Sequence, residues 1–229
     1  MTRIAVVTGG NRGIGLEVVR QLARRADTVV MGSRDPAKGE RAAAAIGDEH
    51  ILVRRLDVTD PAGLAQLADE LADRFGRLDV LVNNAAILYD TWQQASNADL
   101  DVVREALETN LLGAWRTVLA FLPLLRASAH PRIVNVSSEA GALASMGGGE
   151  PAYDISKAAL NALTRKLAAE LARDGVLVNA VCPGWVATDM GGPGGAPVAA
   201  GAASVLWAVD LPDDGPSGGF FRHGRPLPW

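Results

Sequence analysis

Thr8-Gly9-Gly10-Asn11-Arg12-Gly13-Ile14-Gly15 decides how the chain is read. Residues 3–8 are strand-like, and from Gly13 to about position 25 Ile14, Val18, Val19 and Leu22 recur at helical spacing. The eight residues are therefore the turn between a first strand and a first helix. Glycines permit a tight turn and close backbone approach, while the helix start offers free N–H groups and partial positive charge to a phosphate. Gly9, Asn11, Arg12, Gly13, Ile14 and Gly15 are the first candidate ligand-binding residues.

Outward from this turn the pattern repeats. Strands are expected at 28–32, 51–56, 78–82, 132–137, 176–181 and, briefly, 219–221. Helices are expected from Pro61, capped by Thr59 or Asp60, over 97–126 with a break near Asn110, and over 152–173. Leu64, Leu67, Leu71 and Phe75 form one buried stripe, and Leu160, Leu163, Leu167 and Leu171 another. Six or seven strands alternating with helices predict an α/β fold: a Rossmann-type doubly wound parallel sheet with helices on both faces, in a single domain spanning residues 1–229.

Composition excludes several classes. With 229 residues and a net charge of −4, a broad nucleic-acid surface is not expected. No apolar run reaches the roughly 20 residues of a membrane span, and residues 1–10 do not resemble a signal peptide, so a soluble, cytoplasmic protein is expected. The single Cys182 and three scattered histidines, His50, His130 and His223, predict neither disulfide nor metal site. The Gly/Ala/Pro-rich tract 191–201 reads as a mobile loop.

In this fold, ligands sit beyond the carboxyl ends of the strands, where Gly9, Asp57, Asn83, Ser138 and Pro183 all fall. The second strand ends in Met31-Gly32-Ser33-Arg34, without the carboxylate that would hold a ribose 2′-hydroxyl. Arg34 and Arg12 suit a 2′-phosphate, which favours NADPH/NADP+ over NADH. Alternatively the arginines are solvated surface groups, with Asp35 neutralising Arg34 or itself contacting a ribose. Asp57 either accepts from an adenine amino group or belongs to the helix entry.

Tyr153-Asp154-Ile155-Ser156-Lys157 puts a phenol and an ammonium on one helix face, four residues apart. A nearby ammonium lowers a phenol's pKa from its usual ~10, making Tyr153 a usable acid/base. Tyr153 and Ser138 could then supply the proton and hydrogen bonds that a ketone oxygen needs as hydride arrives.

These residues, with Asp57-Val58, Asn83-Asn84-Ala85, Asn110, Ser137-Ser138 and Pro183-Gly184 in the same order, closely resemble the short-chain dehydrogenase/reductase family over essentially the whole chain. The resemblance implies a catalytic set of Asn110, Ser138, Tyr153 and Lys157, with Lys157 also holding the nicotinamide ribose. Asn110 would position a water between Lys157 and solvent, or serve only at the helix break. The resemblance further implies cofactor contacts from Ser33, Asp57, Val58, Asn83, Ala85, Pro183, Gly184, Val186 and Thr188. Ala86 stands where the family more often has glycine.

Arg12, Arg34, Cys182-Pro-Gly-Trp-Val-Ala-Thr-Asp-Met190 and Gly218-Gly-Phe-Phe-Arg222 most resemble the carbonyl-reductase branch. The implied activity is NADPH-dependent reduction of a ketone or aldehyde to an alcohol. The alternatives are a secondary-alcohol dehydrogenase and a non-catalytic dinucleotide sensor. Only 139–152 separates Ser138 from Tyr153, and the segment after Met190 has room for a small lid and a helix at 197–208, so an open pocket is expected. Its candidate lining is Leu88, Glu139, Leu143, Met146 and Trp185, the last alternatively packing at the lid base. Leu111, Trp115, Ala162 and Ala169 are either subunit contacts of a dimer or tetramer or buried within a monomer.

Overall fold

The computed structural model describes residues 2–229. Strands β1 (Ile4–Val7), β2 (Thr28–Ser33), β3 (Ile51–Arg55), β4 (Val80–Asn83), β5 (Arg132–Val136), β6 (Leu177–Val181) and β7 (Phe220–Arg222) lie parallel. A short antiparallel strand β8 (Arg225–Pro226) closes the edge, and the sheet order is β3-β2-β1-β4-β5-β6-β7-β8. The strand β8, and hence the eighth place in the sheet, goes beyond the sequence expectation. With only two residues and a proline, β8 carries too short a pattern to read.

Alternation along β1 explains why helices cover both faces. Ile4 and Val6 join one core with Leu64, Leu67 and Leu71 of α3 (Pro61–Phe75), Val118 and Phe121 of α5 (Ala114–Arg126), and Leu160 and Leu167 of α6 (Pro151–Leu171). Ala5 and Val7 join the other, with Val18, Val19 and Leu22 of α1 (Gly13–Ala23) and Val205 and Val209 of α7 (Val198–Val209). A helix not singled out in the sequence, α2 (Pro36–Ile46), starts with Pro36 behind an Asp35 cap and ends at Gly47 with φ +70°. Of the two cap candidates before α3, Asp60 accepts from the Gly63 N–H at 3.0 Å.

The break near Asn110 is a change of helical pitch rather than an interruption. After α4 (Leu100–Ala106) the chain runs through a π-helical stretch, Leu107–Gly113, directly into α5. Widened turns of this kind accompany functional sites, where they reposition a side chain. The tract 191–201 is tied down at its start: Val186 bridges to Ala196, Thr188 bridges to Gly192, and α7 begins at Val198. Its glycines serve close contacts: a Cβ at Gly195 would come within 2.5 Å of the Val186 carbonyl carbon. Among the described residues no helix is long and apolar enough to cross a membrane.

Candidate active site

The sheet order reverses direction between β1 and β4, which opens a crevice at their carboxyl ends. It has a volume of about 540 Å³ and draws its walls from the turn after β1, the ends of β2 and β3, the segment after β4, the first turns of α6 and the segment after β6. At its floor Gly9 and Gly13 adopt φ of +63° and +54°, where a Cβ would be strained. Arg12, the N-cap of α1, makes no side-chain cap, and no acidic residue stands in the helix's first turn, so the N–H groups are open to an anion.

Asn84 holds this turn in shape. Its Nδ2 donates to the carbonyls of Thr8 and Gly9 at 2.9 and 3.2 Å, and Thr8 Oγ1 accepts from the N–H groups of Asn84 and Ala85 at 2.9 Å each. A Cβ on Gly15 would lie 2.5 Å from Asn84 Nδ2. Gly15 is thus a packing glycine beneath the crevice. The neighbouring Asn83 differs from the expectation: it is buried, donating to Asn135 Oδ1 at 2.9 Å and accepting from Thr117 at 2.5 Å. Strand alternation sends Asn83 into the core, and Asn84 and Ala85, past the end of β4, line the crevice.

At the other end Ser33, Arg34, Asp57 and Val58 line the crevice as the sequence implied. Ser33 is buried, with its hydroxyl turned to the Asp35 carbonyl at 2.7 Å. Asp35 Oδ1 accepts from the N–H groups of Ala37 and Lys38, and no ion pair engages Arg34 among the described residues. Lys38, one turn into α2, also lines the crevice and was not singled out by sequence; its signal is a lysine four positions beyond Arg34. Asp57 spends Oδ1 on Thr59, accepting from its N–H at 3.0 Å and its hydroxyl at 2.8 Å, while still bordering the crevice. Arg12 reaches across to Asp189 at 3.3 Å, both largely exposed, and Thr188 sits above Gly13. Pro183 lines the crevice, whereas Val186 is buried against Gly201.

Tyr153 and Lys157 enter the same crevice from α6. The ammonium lies 5.5 Å from the centre of the Tyr153 ring and donates to the Val136 carbonyl at 2.8 Å. Burial pushes Lys157 down to about 8. Burial also pushes the Tyr153 phenol up, and the hydrogen bond with Ser138 opposes that rise. The lowering expected from Lys157 is absent from this balance: desolvation penalises the phenolate and the ammonium alike. Ser138 itself caps a short helical turn, accepting from the Ala140 N–H at 3.2 Å.

Asn110 is buried in the π-helical stretch, with its amide committed within the protein. Oδ1 accepts from the Ile87 N–H at 2.8 Å, and Nδ2 donates to the Ile87 carbonyl at 3.0 Å and to Ser156 Oγ at 2.9 Å. Ser156 Oγ in turn donates to the Tyr153 carbonyl at 2.7 Å. The Asn110 side chain thus joins the segment after β4 to the turn of α6 that carries Tyr153.

Ile87, Tyr89 and Met190 line the crevice along with Tyr153, and the five residues named from sequence for a substrate pocket lie outside that lining. Glu139 pairs with Arg222. Trp185 donates Nε1–H to the Gly191 carbonyl at 2.7 Å and packs on Gly194, with 67% of its surface exposed. Leu143 is exposed, and Leu88 and Met146 are half-buried outside the crevice wall. Among the described residues no three potential metal ligands cluster.

The family model for short chain dehydrogenases matches residues 3–196. Short-chain dehydrogenase/reductase 1 of Saponaria officinalis is 36% identical, over 99% of this chain and 96% of its own length. The (+)-neomenthol dehydrogenase of Capsicum annuum is 35% identical, over 96% of this chain and 95% of its own length. The crystal structure of NADPH-bound carbonyl reductase from chicken fatty liver superimposes with a TM-score of 0.90 at 31% identity, covering 100% of this chain and 99% of that one. The two plant alignments run over 292 and 301 positions against the 229 residues here, so those relatives carry segments that this chain lacks.

Proposed function

Because the chain belongs to the short-chain dehydrogenase/reductase family, we propose that it is an NADPH-dependent reductase turning a ketone or aldehyde into an alcohol, with Tyr153 as general acid. The observation that carries this reading is the polarity of one crevice: the cations Arg34 and Lys38 at one end, Tyr153 and Lys157 at the other, and an open helix N-terminus between them.

Arg34 and Lys38 would hold the 2′-phosphate and the first turn of α1 the pyrophosphate. Asp57 and Val58 would flank the adenine, and Pro183 with Thr188 the nicotinamide. NADPH-bound carbonyl reductase from chicken fatty liver shares the fold throughout and supports the cofactor assignment. When bound, the reduced nicotinamide supplies the hydride. Ser138 then donates a hydrogen bond to the carbonyl oxygen, Tyr153 delivers its phenolic proton to that oxygen as negative charge develops, and Lys157 favours the phenolate left behind. Asn110 holds the turn of α6 that aims Tyr153.

Absorbance loss of NADPH and NADH with a panel of aryl ketones, ketoesters, quinones and aldehydes tests the proposal, with Tyr153→Phe as control. Consumption of NADPH by the native protein alone supports it. Faster turnover of secondary alcohols with the oxidised cofactor would favour the dehydrogenase alternative, and tight cofactor binding without turnover the sensor. Trp115, Ala162 and Ala169 are exposed on α5 and α6 and Leu111 is half-buried, which supports a homo-oligomer through these helices. Sedimentation at micromolar concentration decides that point.

A further inference from the structure

Two carboxyl groups outside the crevice lie at the start of α6 without a cation partner among the described residues. Asp90 is 0% exposed, and its Oδ2 accepts from the Ala152 N–H at 2.6 Å, which caps α6 from a distant segment. Glu150, at the cap position itself, has φ +52° and makes no side-chain cap. Asp154, one turn later, is 7% exposed. Asp90 Oδ1 and Asp154 Oδ1 are both buried without a hydrogen-bond partner. No lysine or arginine pairs with either among the described residues: Arg104 pairs with Asp101, Arg116 with Glu108, and Lys157 turns to the Val136 carbonyl.

Two ionised carboxylates in such surroundings repel each other and leave two acceptors unsatisfied, each at a cost. A proton on one of them removes the repulsion and leaves one bare acceptor fewer. Asp90 has one oxygen engaged by an N–H group at the α6 N-terminus. Asp154, buried with Oδ1 unpartnered and with the acidic Glu150 and Asp90 as neighbours, is the one favoured to hold a proton.

We infer that Asp154 is held as a neutral carboxylic acid close to Asp90, at the point where segment 87–99 is fastened to the first turn of α6, and that this acid helps position Tyr153. The same segment is strapped to α6 by the Glu150 N–H donating to the Gln93 carbonyl at 3.3 Å and by the bridge between Gln94 and Gly149. Burial, together with Glu150 and Asp90, raises Asp154 to about 7, which fits an acid that keeps its proton near neutrality. The remaining charged groups of the segment and of α4 are Asp99, Asp101, Arg104 and Glu105; all four lie at exposed positions or pair with one another. The effect on Tyr153 rests on the proposed role of that residue; the proton on Asp154 does not.

The test compares native protein with Asp154→Asn and Asp90→Asn. A folded-state pKa above the unfolded value means stability is full below about 4 and is lost as pH rises to about 7. The native melting temperature should therefore contain a decline over that interval which Asp154→Asn lacks. In parallel, kcat should fall across pH 7 in the native enzyme and hold a plateau in Asp154→Asn, with KM little changed. Asp90→Asn keeps an acceptor for the Ala152 N–H and should shrink the decline without abolishing it, since burial and Glu150 still act on Asp154. Carbon NMR of labelled aspartates should show one carboxyl still protonated at pH 6. Identical melting slopes in native and Asp154→Asn, or all aspartates ionised at pH 6, overturn the pair. A protein that turns over no carbonyl yet shows the melting and NMR signatures overturns the proposed reaction and leaves the pair standing.

Discussion

Arg34 has no ion-pair partner among the described residues, and Asp35, the next residue, turns its carboxylate to the N-terminus of α2, accepting from the N–H groups of Ala37 and Lys38. Arg34 and Lys38 thus bring two positive charges to that part of the crevice against the one negative charge of Asp35. Arg34→Ala should raise the KM for NADPH by about tenfold to a hundredfold, as expected for losing a charge-assisted phosphate contact of about 1.5–3 kcal/mol. The KM for NADH should move little. Lys38→Ala should act in the same direction, and equal losses for both cofactors would show that neither group meets the 2′-phosphate.

Tyr153→Phe keeps the ring in place and removes the donor. A fall in kcat of about 10² to 10⁴ is expected, with cofactor affinity by fluorescence titration within a few-fold of native. Retention of more than a tenth of the native rate would assign the proton to another group.

Lys157 carries a pH signature of its own. Its folded-state value near 8 lies below the 10.5 of a free lysine, so between those limits the unfolded chain holds more protons and stability rises with pH. Compared with Lys157→Met, the native protein should gain melting temperature as pH climbs from 8 to 10. A constant difference across that range would place the ammonium in water.

Asn84→Ala removes two donations to the glycine turn and should lower stability by about 1–3 kcal/mol in urea unfolding. It should also weaken NADPH and NADH alike, because the turn serves the part common to both. Gly15→Ala should show the same pattern through a different route, since its methyl would displace the Asn84 amide.

The doubly wound sheet was legible because Val6, Val18, Leu64 and Leu160 repeat at periods that leave little choice of partner. The glycine turn, Ser138, Tyr153 and Lys157 were legible because their chemistry is tied to short spacings along one element. What escaped depends on contacts between distant segments. Nothing near Asp90 in sequence indicates that it caps a helix beginning sixty positions later. The pairing of Glu139 with Arg222 depends on where the end of β7 lies, and spacing does not encode that. Asn83 and Asn84 were separable only by the phase of a four-residue strand, which becomes fixed once β4 is seated between β1 and β5.

That phase has a practical outcome. Asn83 belongs to a buried chain of amides and hydroxyls running through Thr117, Asn135 and Thr164, while Asn84, one peptide bond away, grips the turn that would meet the cofactor. A ligand that stiffens the turn must also slow the opening of the interior beneath it, and damage to the interior must slacken the turn. Protection of core amides against hydrogen exchange and occupancy of the nucleotide crevice are thus two readings of the same peptide.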